Sequence, residues 1–430
     1  MRVEPRRLHR PAPVPWAALV VALCAAPSSA AARDLWSSED GEHRLELTLT
    51  LKNSWLLSRS PDDPVLFPER ASGAGLFRLR FSLLGSFTEW ITTEVAYEHR
   101  SRFESGTGAG GGVLPSGASA PYRLTPLDWN LVDHAPTFVH AHEIDRAYVA
   151  LHLPFGEVTV GRQAVGLGRG VLFGAVDLFA PFSPLEVDRE WRRGVDAIRA
   201  DVRFGEQLSA DATLAFGEHP SEGAAVWRLR GFAGPIDGAL IFGRRGRDTL
   251  GGLSASATIG DSEIHGEAAL FDTDGRGIDG GWLGSDRLVA KFLAGGSHAF
   301  DVGRGLRVFA EYHYSGFGLE DVAADASLVL DPDFQARYAR GDTQILGRHA
   351  VAVMASYDLF DDLGATAMIL VSPADGSGMF SPALTWSYSD GVSIVGSLFL
   401  PWGAGSNLGR LGSEYGSAPL SVFLQASVYD

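Results

Sequence analysis

The sequence predicts an all-β protein: a single transmembrane antiparallel β-barrel of about 16–18 strands, with short periplasmic turns and long extracellular loops. Three observations carry this. Segments of about ten residues alternate between apolar and polar side chains, and the polar face is often charged. The connections between segments alternate in length. Beyond the N-terminal leader, no run reaches the roughly eighteen apolar residues that a membrane helix requires.

The chain opens on a leader. Arg2, Arg6, Arg7 and Arg10 make a basic n-region. Trp16 to Ala26 is apolar but too short to span a bilayer. Ala30 and Ala32 fit a small-residue cleavage site. Residues 1–32 thus read as a secretory signal peptide and residues 33–430 as the barrel. Cys24 is the only cysteine, and it follows Leu23, where a lipoprotein cleavage box needs a small residue. The mature chain then holds neither a disulfide nor a thiolate metal site. Removing the leader's four arginines and one glutamate takes the formal net charge from −16 to −19. So acidic a chain is no nucleic-acid partner.

The strands follow in order. From His43 to Trp55, Leu45, Leu47, Leu49 and Leu51 oppose Glu46, Thr48, Thr50 and Lys52. Phe77, Leu79, Phe81 and Leu83 oppose Arg78, Arg80 and Ser82. Ala147, Val149, Leu151 and Leu153 oppose Arg146, Tyr148 and His152. Ile198, Ala200, Val202 and Phe204 oppose Arg199, Asp201 and Arg203. A soluble sandwich needs only about five or six residues per strand. Longer segments with one charged face fit a barrel with lipid outside and water inside. Such segments start near residues 43, 75, 90, 142, 156, 195, 208, 224, 236, 249, 262, 288, 306, 345, 363, 379, 392 and 418.

Short turns include Phe87 to Trp90, Pro154 to Glu157, Phe204 to Gln207, Gly260 to Glu263 and Ser389 to Gly391. Between them lie mostly long loops: Ser58 to Gly75, Glu104 to Ala141, Gly166 to Gly194, Phe271 to Ser285, Gly316 to Thr343 and Trp402 to Ala418. An even strand count puts both ends on the periplasmic side, where first and last strands pair and remove the sheet edges. Phe87, Trp90, Phe155, Phe204, Phe300, Phe360 and Tyr388 beside the short turns suit an interfacial girdle.

Residues 166–194 are the exception to alternation. The first half, GLGRGVLFGAVDLFAPFSP, is apolar and includes Phe173, Phe179 and Phe182. The second half carries Glu186, Asp188, Arg189, Glu190, Arg192 and Arg193. A free loop would not expose such an apolar run to water. Two placements follow: a surface hairpin packed on neighbouring loops, or a segment folded into the barrel that narrows it. The expected constriction residues are Arg162, Arg169, Asp177, Asp188, Arg192, Arg193 and Arg199. Arg162 shares the parity of Val158 and Val160, which would turn it to lipid, so a bulge at Gly161 is expected to return it to the lumen. The expected lumen wall includes Arg78 and Arg80 beside Glu94 and Glu98, together with Asp201, Arg203, Arg228 and Arg230.

The runs GRQAVGLGRG, VDLFAPF and DREWRRGVDAIR resemble a segment of porin-like outer-membrane proteins of Gram-negative bacteria and, more loosely, the alginate-export type of barrel. The resemblance covers about forty residues. It implies a barrel in the outer membrane, and the alginate-export likeness implies an arginine-lined pore.

Other motifs are weak. Asp272 and Asp274 in DTDGRG look like half a calcium loop, but the closing glutamate is missing. Gly106 to Gly112, and Gly166, Gly168 and Gly170, look like phosphate loops but lack the following Lys-Ser/Thr. Flexible loop is the default for both glycine runs, and a surface-loop turn for Asp272 and Asp274. No nucleophile elbow or H-E-x-x-H motif is present, so no enzyme and no cofactor are expected. The expected function is passive, charge-selective diffusion of small hydrophilic solutes across the outer membrane, with lipid and lipopolysaccharide around the barrel. The alternative is a structural barrel, sheathing a periplasmic cytochrome or serving an export system. Monomer and homotrimer both stay open.

Overall fold

The computed structural model describes residues 33–105, 113–114, 122–134, 137–285, 287–325 and 327–430. The leader and the Gly106–Gly112 run lie outside the described residues. The described strands are β1 (Arg33–Ser37), β2 (His43–Arg59), β3 (Ala71–Phe87), β4 (Ile91–Glu104), β5 (Asp128–His134), β6 (Phe138–Leu153), β7 (Gly156–Gln163), β8 (Val195–Phe204), β9 (Leu208–Ala215), β10 (Ala224–Ala233), β11 (Ile236–Arg245), β12 (Asp248–Ile259), β13 (Ser262–Asp272), β14 (Leu288–Phe300), β15 (Leu306–Ser315), β16 (His349–Asp358), β17 (Leu363–Val371), β18 (Gly378–Ser389), β19 (Val392–Trp402) and β20 (Leu420–Tyr429). Eighteen of them form an antiparallel ring, closed where β2 pairs with β20 from Thr50↔Tyr429 to Arg59↔Leu420. Closure removes the two edges that an open eighteen-stranded sheet would expose to lipid.

The two remaining strands, β1 and β5, were not among the expected segments. β1 pairs with the lower part of β2, from Arg33↔Leu47 to Ser37↔Arg44. β5 and the residues before it patch a gap. β7 ends at Gln163, where the chain turns inward, and the wall above it would otherwise open. Asp196 N–H of β8 donates to the Tyr122 carbonyl at 2.9 Å. Ile144 N–H of β6 donates to the Leu127 carbonyl at 2.8 Å. Further on, β5 itself pairs with β6 from Asp128↔Glu143 to His134↔Phe138.

Burial is inverted relative to a water-soluble protein. Val95, Val149, Leu151, Ile198, Leu240, Ile264, Ile369 and Leu424 point outward and are exposed. Lys52, Arg78, Arg80, Glu98, Glu143, Asp211, Glu267, Lys291 and Glu311 point inward and are buried. A continuous exposed apolar belt is tolerable only against lipid. Phe87, Trp90, Phe155, Phe204, Phe300, Phe360 and Tyr388 are all exposed at the short-turn end. Trp55, Trp129, Trp227 and Trp402 are exposed nearer the opposite end.

The inner wall is not uniform. Charge concentrates on β2–β15. From β16 to β20 the inward positions include Ala350, Ala352, Leu370, Met379, Ser381, Ser397, Phe399, Ser421, Phe423, Gln425 and Ser427, with no charged side chain among the buried ones.

Candidate functional site

Residues 164–194 leave the wall between β7 and β8 and reach strands on both far sides of the ring. Non-repetitive backbone at this depth must find acceptors for its N–H groups. It finds them in three side chains. Glu267 of β13 accepts from Arg169 and Gly170 (3.0 Å), and from Ala175 (2.7 Å) and Val176 (3.1 Å). Glu311 of β15 accepts from Val171 (2.7 Å), Leu172 (3.0 Å) and Phe173 (3.1 Å). Gln344, in the long loop before β16, accepts from Gly174 at 2.8 Å. Every amide from Arg169 to Val176 is therefore donated to one of these groups. Glycine at 170 is required because a Cβ there would lie 1.9 Å from the Phe173 carbonyl oxygen. The apolar side chains of this half fill the space beside the wall. Phe173 stacks on His313 of β15 at 4.7 Å, and Phe179 meets Tyr122 edge-on at 5.2 Å. Leu172, Phe173, Val176, Leu178 and Phe179 are buried.

The second half uses side-chain charge instead. Asp188 accepts from Lys52 of β2 at 2.7 Å and from Arg78 of β3 at 3.1 Å. Glu190 pairs with the same Lys52 at 2.5 Å and accepts from the Tyr429 hydroxyl at 2.7 Å. The Trp191 ring lies under three cations: Lys52 Nζ at 4.1 Å, Arg80 at 4.9 Å and Arg78 at 5.0 Å. Such contacts strengthen when desolvated. Arg189 joins the two halves by donating to the carbonyls of Val171 (2.9 Å), Ser183 (2.8 Å), Pro184 (2.8 Å) and Glu186 (3.1 Å). Arg192 bonds Asp177 at 2.6 Å and the Phe179 carbonyl at 2.9 Å. Burial pushes the Glu186 carboxyl up to about 6 and raises that of Asp177 as well.

The loop between β15 and β16 closes over this segment. Its α-helix, Pro332–Arg340, is N-capped by Asp331 and ends at Gly341 in the left-handed region, φ 82°. A Cβ at Gly341 would meet Pro181 Cγ at 2.3 Å, so the close approach needs glycine. Beside it Asp342 bonds Arg245, Arg337 (3.3 Å) and Arg340 (2.6 Å). Burial alone would raise the Asp342 carboxyl, but the three guanidiniums hold it well below the usual range.

No protein-family model matches this chain, and no curated protein matches it. Solved structures do. The crystal structure of Acinetobacter baumannii OccAB1 is similar with a TM-score of 0.55 at 10% identity, over 93% of this chain and 98% of that one. Acinetobacter baumannii OccAB3 gives 0.56 at 10% identity, over 90% and 99%. Pseudomonas aeruginosa OccK8 (OprE) gives 0.51 at 12% identity, over 90% and 98%. The chain has the fold of a porin-like outer-membrane barrel.

Within this porin-like barrel the residues singled out in the sequence fall into distinct places. Arg169, Asp177, Asp188, Arg192 and Arg193 lie on the in-folded segment. Arg169 pairs with Asp237 of β11, and Arg193 lies in the attractive field of Glu143. Arg78 pairs with Glu98 at 2.8 Å, and Arg80 with Asp145 at 2.9 Å. Glu94 does not join them. Its register partner is Leu84, and it accepts from Ser82 at 2.9 Å. Arg228 pairs with Asp211 at 2.8 Å, Arg199 lies 3.8 Å from the same carboxylate, and Arg230 reaches both Asp201 and Asp211. Arg203 shares their inward parity on β8.

Two expectations need correction. Arg162 is not in the lumen. The register through Gly161 is unbroken on both neighbours, so Arg162 keeps the face of Val160. It is nonetheless 2% exposed, because the 122–127 patch covers it. There it bonds Asp196 at 2.7 Å, the Ile144 carbonyl at 2.9 Å and the Thr125 carbonyl. Gly166, Gly168 and Gly170 belong neither to a flexible loop nor to a phosphate cradle. The Gly170 N–H, like those of Val171, Leu172 and Phe173, is taken by a wall carboxylate. Asp272 and Asp274, the weak calcium candidates, are each paired with an arginine, Asp272 with Arg287 at 3.0 Å and Asp274 with Arg337 at 3.1 Å.

Proposed function

We propose that this protein is a passive outer-membrane channel for small hydrophilic solutes, and that residues 164–194 set its constriction. The observation that carries this is the anchoring of one loop across a lumen lined by buried polar side chains. A channel needs no moving part to select. A fixed segment narrows the path, and charges on it and on the facing wall bias what passes. The proposed constriction charges are Arg169, Asp177, Asp188, Arg192 and Arg193, faced by Arg78, Arg80 and Glu98 on one wall. Arg199, Asp201, Arg203, Arg228 and Arg230 form a second charged wall, balanced by Asp211.

The test is planar-bilayer conductance of the purified protein, with reversal potentials measured in a salt gradient. Stepwise channels with a non-zero reversal potential are expected. Absence of channels at any voltage overturns the reading.

A further inference from the structure

The outer face of the barrel carries a cluster that conduction does not use. His99 of β4 and His142 of β6 are register partners, and His140 lies two residues along β6 on the same face. One nitrogen of each ring lies within 4.8 Å of the other two. His99 Nε2 and His140 Nε2 are 3.1 Å apart. All three residues are half-buried, so the site is reachable from outside. It lies above the lipid-facing Val95, Val149 and Leu151 and among Phe77, Phe103, Trp129 and Phe138.

We infer that His99, His140 and His142 form a binding site for a divalent transition-metal ion of the zinc or copper class. Imidazole suits these ions, and three histidines with an open fourth position form a recurrent coordination set. Tetrahedral metal–nitrogen bonds of about 2.0–2.1 Å put ligand nitrogens about 3.3 Å apart. The His99–His140 pair already has that spacing, and His142 needs only a small ring movement. Two further features point the same way. The Tyr97 hydroxyl sits on His142 Nδ1 and fixes that ring by its other nitrogen, as partners of metal-bound histidines do. His142 Nε2 is then left buried with no hydrogen-bond partner. Packing in an aromatic girdle would explain rings lying face to face, as Trp129 lies on His142 at 5.4 Å. It would not explain three ring nitrogens converging while one stays unpartnered. A bound ion would fasten β4 to β6 beside the patched part of the wall.

The test uses the full-length barrel without a histidine tag, titrated with Zn²⁺ by calorimetry and with Cu²⁺ by electron paramagnetic resonance. One Zn²⁺ per chain and a Cu²⁺ spectrum with three nitrogen ligands are expected. His99→Gln and His140→Gln should each weaken Zn²⁺ binding by at least tenfold. Tyr97→Phe should weaken it by roughly tenfold, as loss of an outer partner does. The compact gel migration of the closed barrel shows whether each variant has folded. If the His99→Gln/His142→Gln double variant binds Zn²⁺ as the parent does, the inference fails. It also fails if wild-type Cu²⁺ has fewer than three nitrogen ligands, a readout that needs no variant.

Discussion

The two halves of residues 164–194 meet the wall in opposite ways. In the first half the loop offers backbone N–H groups and the wall offers carboxylates, Glu267 and Glu311. In the second half the loop offers carboxylates, Asp188 and Glu190, and the wall offers cations, Lys52 and Arg78. The difference follows from composition. An apolar, glycine-rich run has no side chains with which to hold a polar wall, so its main chain must do it. A charged run holds through side chains and leaves its main chain less constrained. The first attachment is spread over eight amides, whereas the second rests on a few charges. The first half should therefore behave as the fixed frame and the second as the tunable face.

The largest effect is expected from breaking the frame. Glu267→Ala strips the acceptor from four amides, those of Ala175 and Val176 fully buried. Hydrogen bonds to charged groups are each worth about 1.5–3 kcal/mol. A loss of at least about 3 kcal/mol in stability is expected, larger still with Glu311→Ala. Hydrogen exchange is the sharper measurement: amides 169–176 should lose their protection while strand amides keep theirs. Unchanged protection would put the frame elsewhere.

Next comes the charged half. Asp188→Ala leaves Lys52 and Arg78 buried with one counter-charge fewer, although Glu190 and Glu98 remain near them. Removing one partner of a buried pair costs up to about 3–5 kcal/mol, and the remaining carboxylates should hold the loss to about 1–3 kcal/mol. The reversal potential should shift toward anions, with amides 169–176 still protected. If their protection falls as far as in Glu267→Ala, the division between the halves is wrong.

Acidity provides a smaller and reversible test. Burial raises the Glu186 carboxyl from an ordinary value of 4.5 to about 6. The folded state therefore holds this proton more tightly than the unfolded chain does. The stabilisation is full below about 4.5 and is lost as pH rises through about 6. Over that window a negative charge appears on the second half, and cation preference should rise. Glu186→Gln should flatten this step, and a step of the same size in the variant would assign it to another group.

The smallest effect lies near the end of the first half. Ala180 has φ 48°, in the left-handed region. Ala180→Gly should stabilise the segment by about 1 kcal/mol, read as a small rise in the thermal midpoint. Destabilisation would mean that packing of the Ala180 methyl outweighs its backbone strain.

Much of the barrel was legible in the sequence. Expected starts near 43, 156, 195, 208, 224, 236, 262, 288, 306, 363 and 392 coincide with observed strands, because period-two alternation against lipid is a strong signal. β1 and β5 were missed because each is short, and β5 only fills a gap that another segment creates. The in-folded loop was legible as the place where alternation stops, and Asp177, Asp188, Arg192 and Arg193 as its charges. Its receivers were not. Glu267, Glu311 and Lys52 each occupy an ordinary polar slot in an alternating strand, and the residues they bind are remote in the sequence. Arg162 was misplaced because burial from outside, by a patch absent from the local pattern, is invisible to parity alone. The glycines at 166, 168 and 170 read as flexible loop, because the carboxylate that takes the Gly170 amide, Glu267, is remote in the sequence.

The most direct measurement is single-channel conductance and reversal potential of the wild type against a variant lacking residues 171–190. This deletion removes most contacts of both halves and leaves every strand intact. A fixed constriction requires larger conductance and weaker ion selectivity in the variant, provided that it folds to the closed barrel. Conductance and selectivity equal to those of the wild type would contradict it.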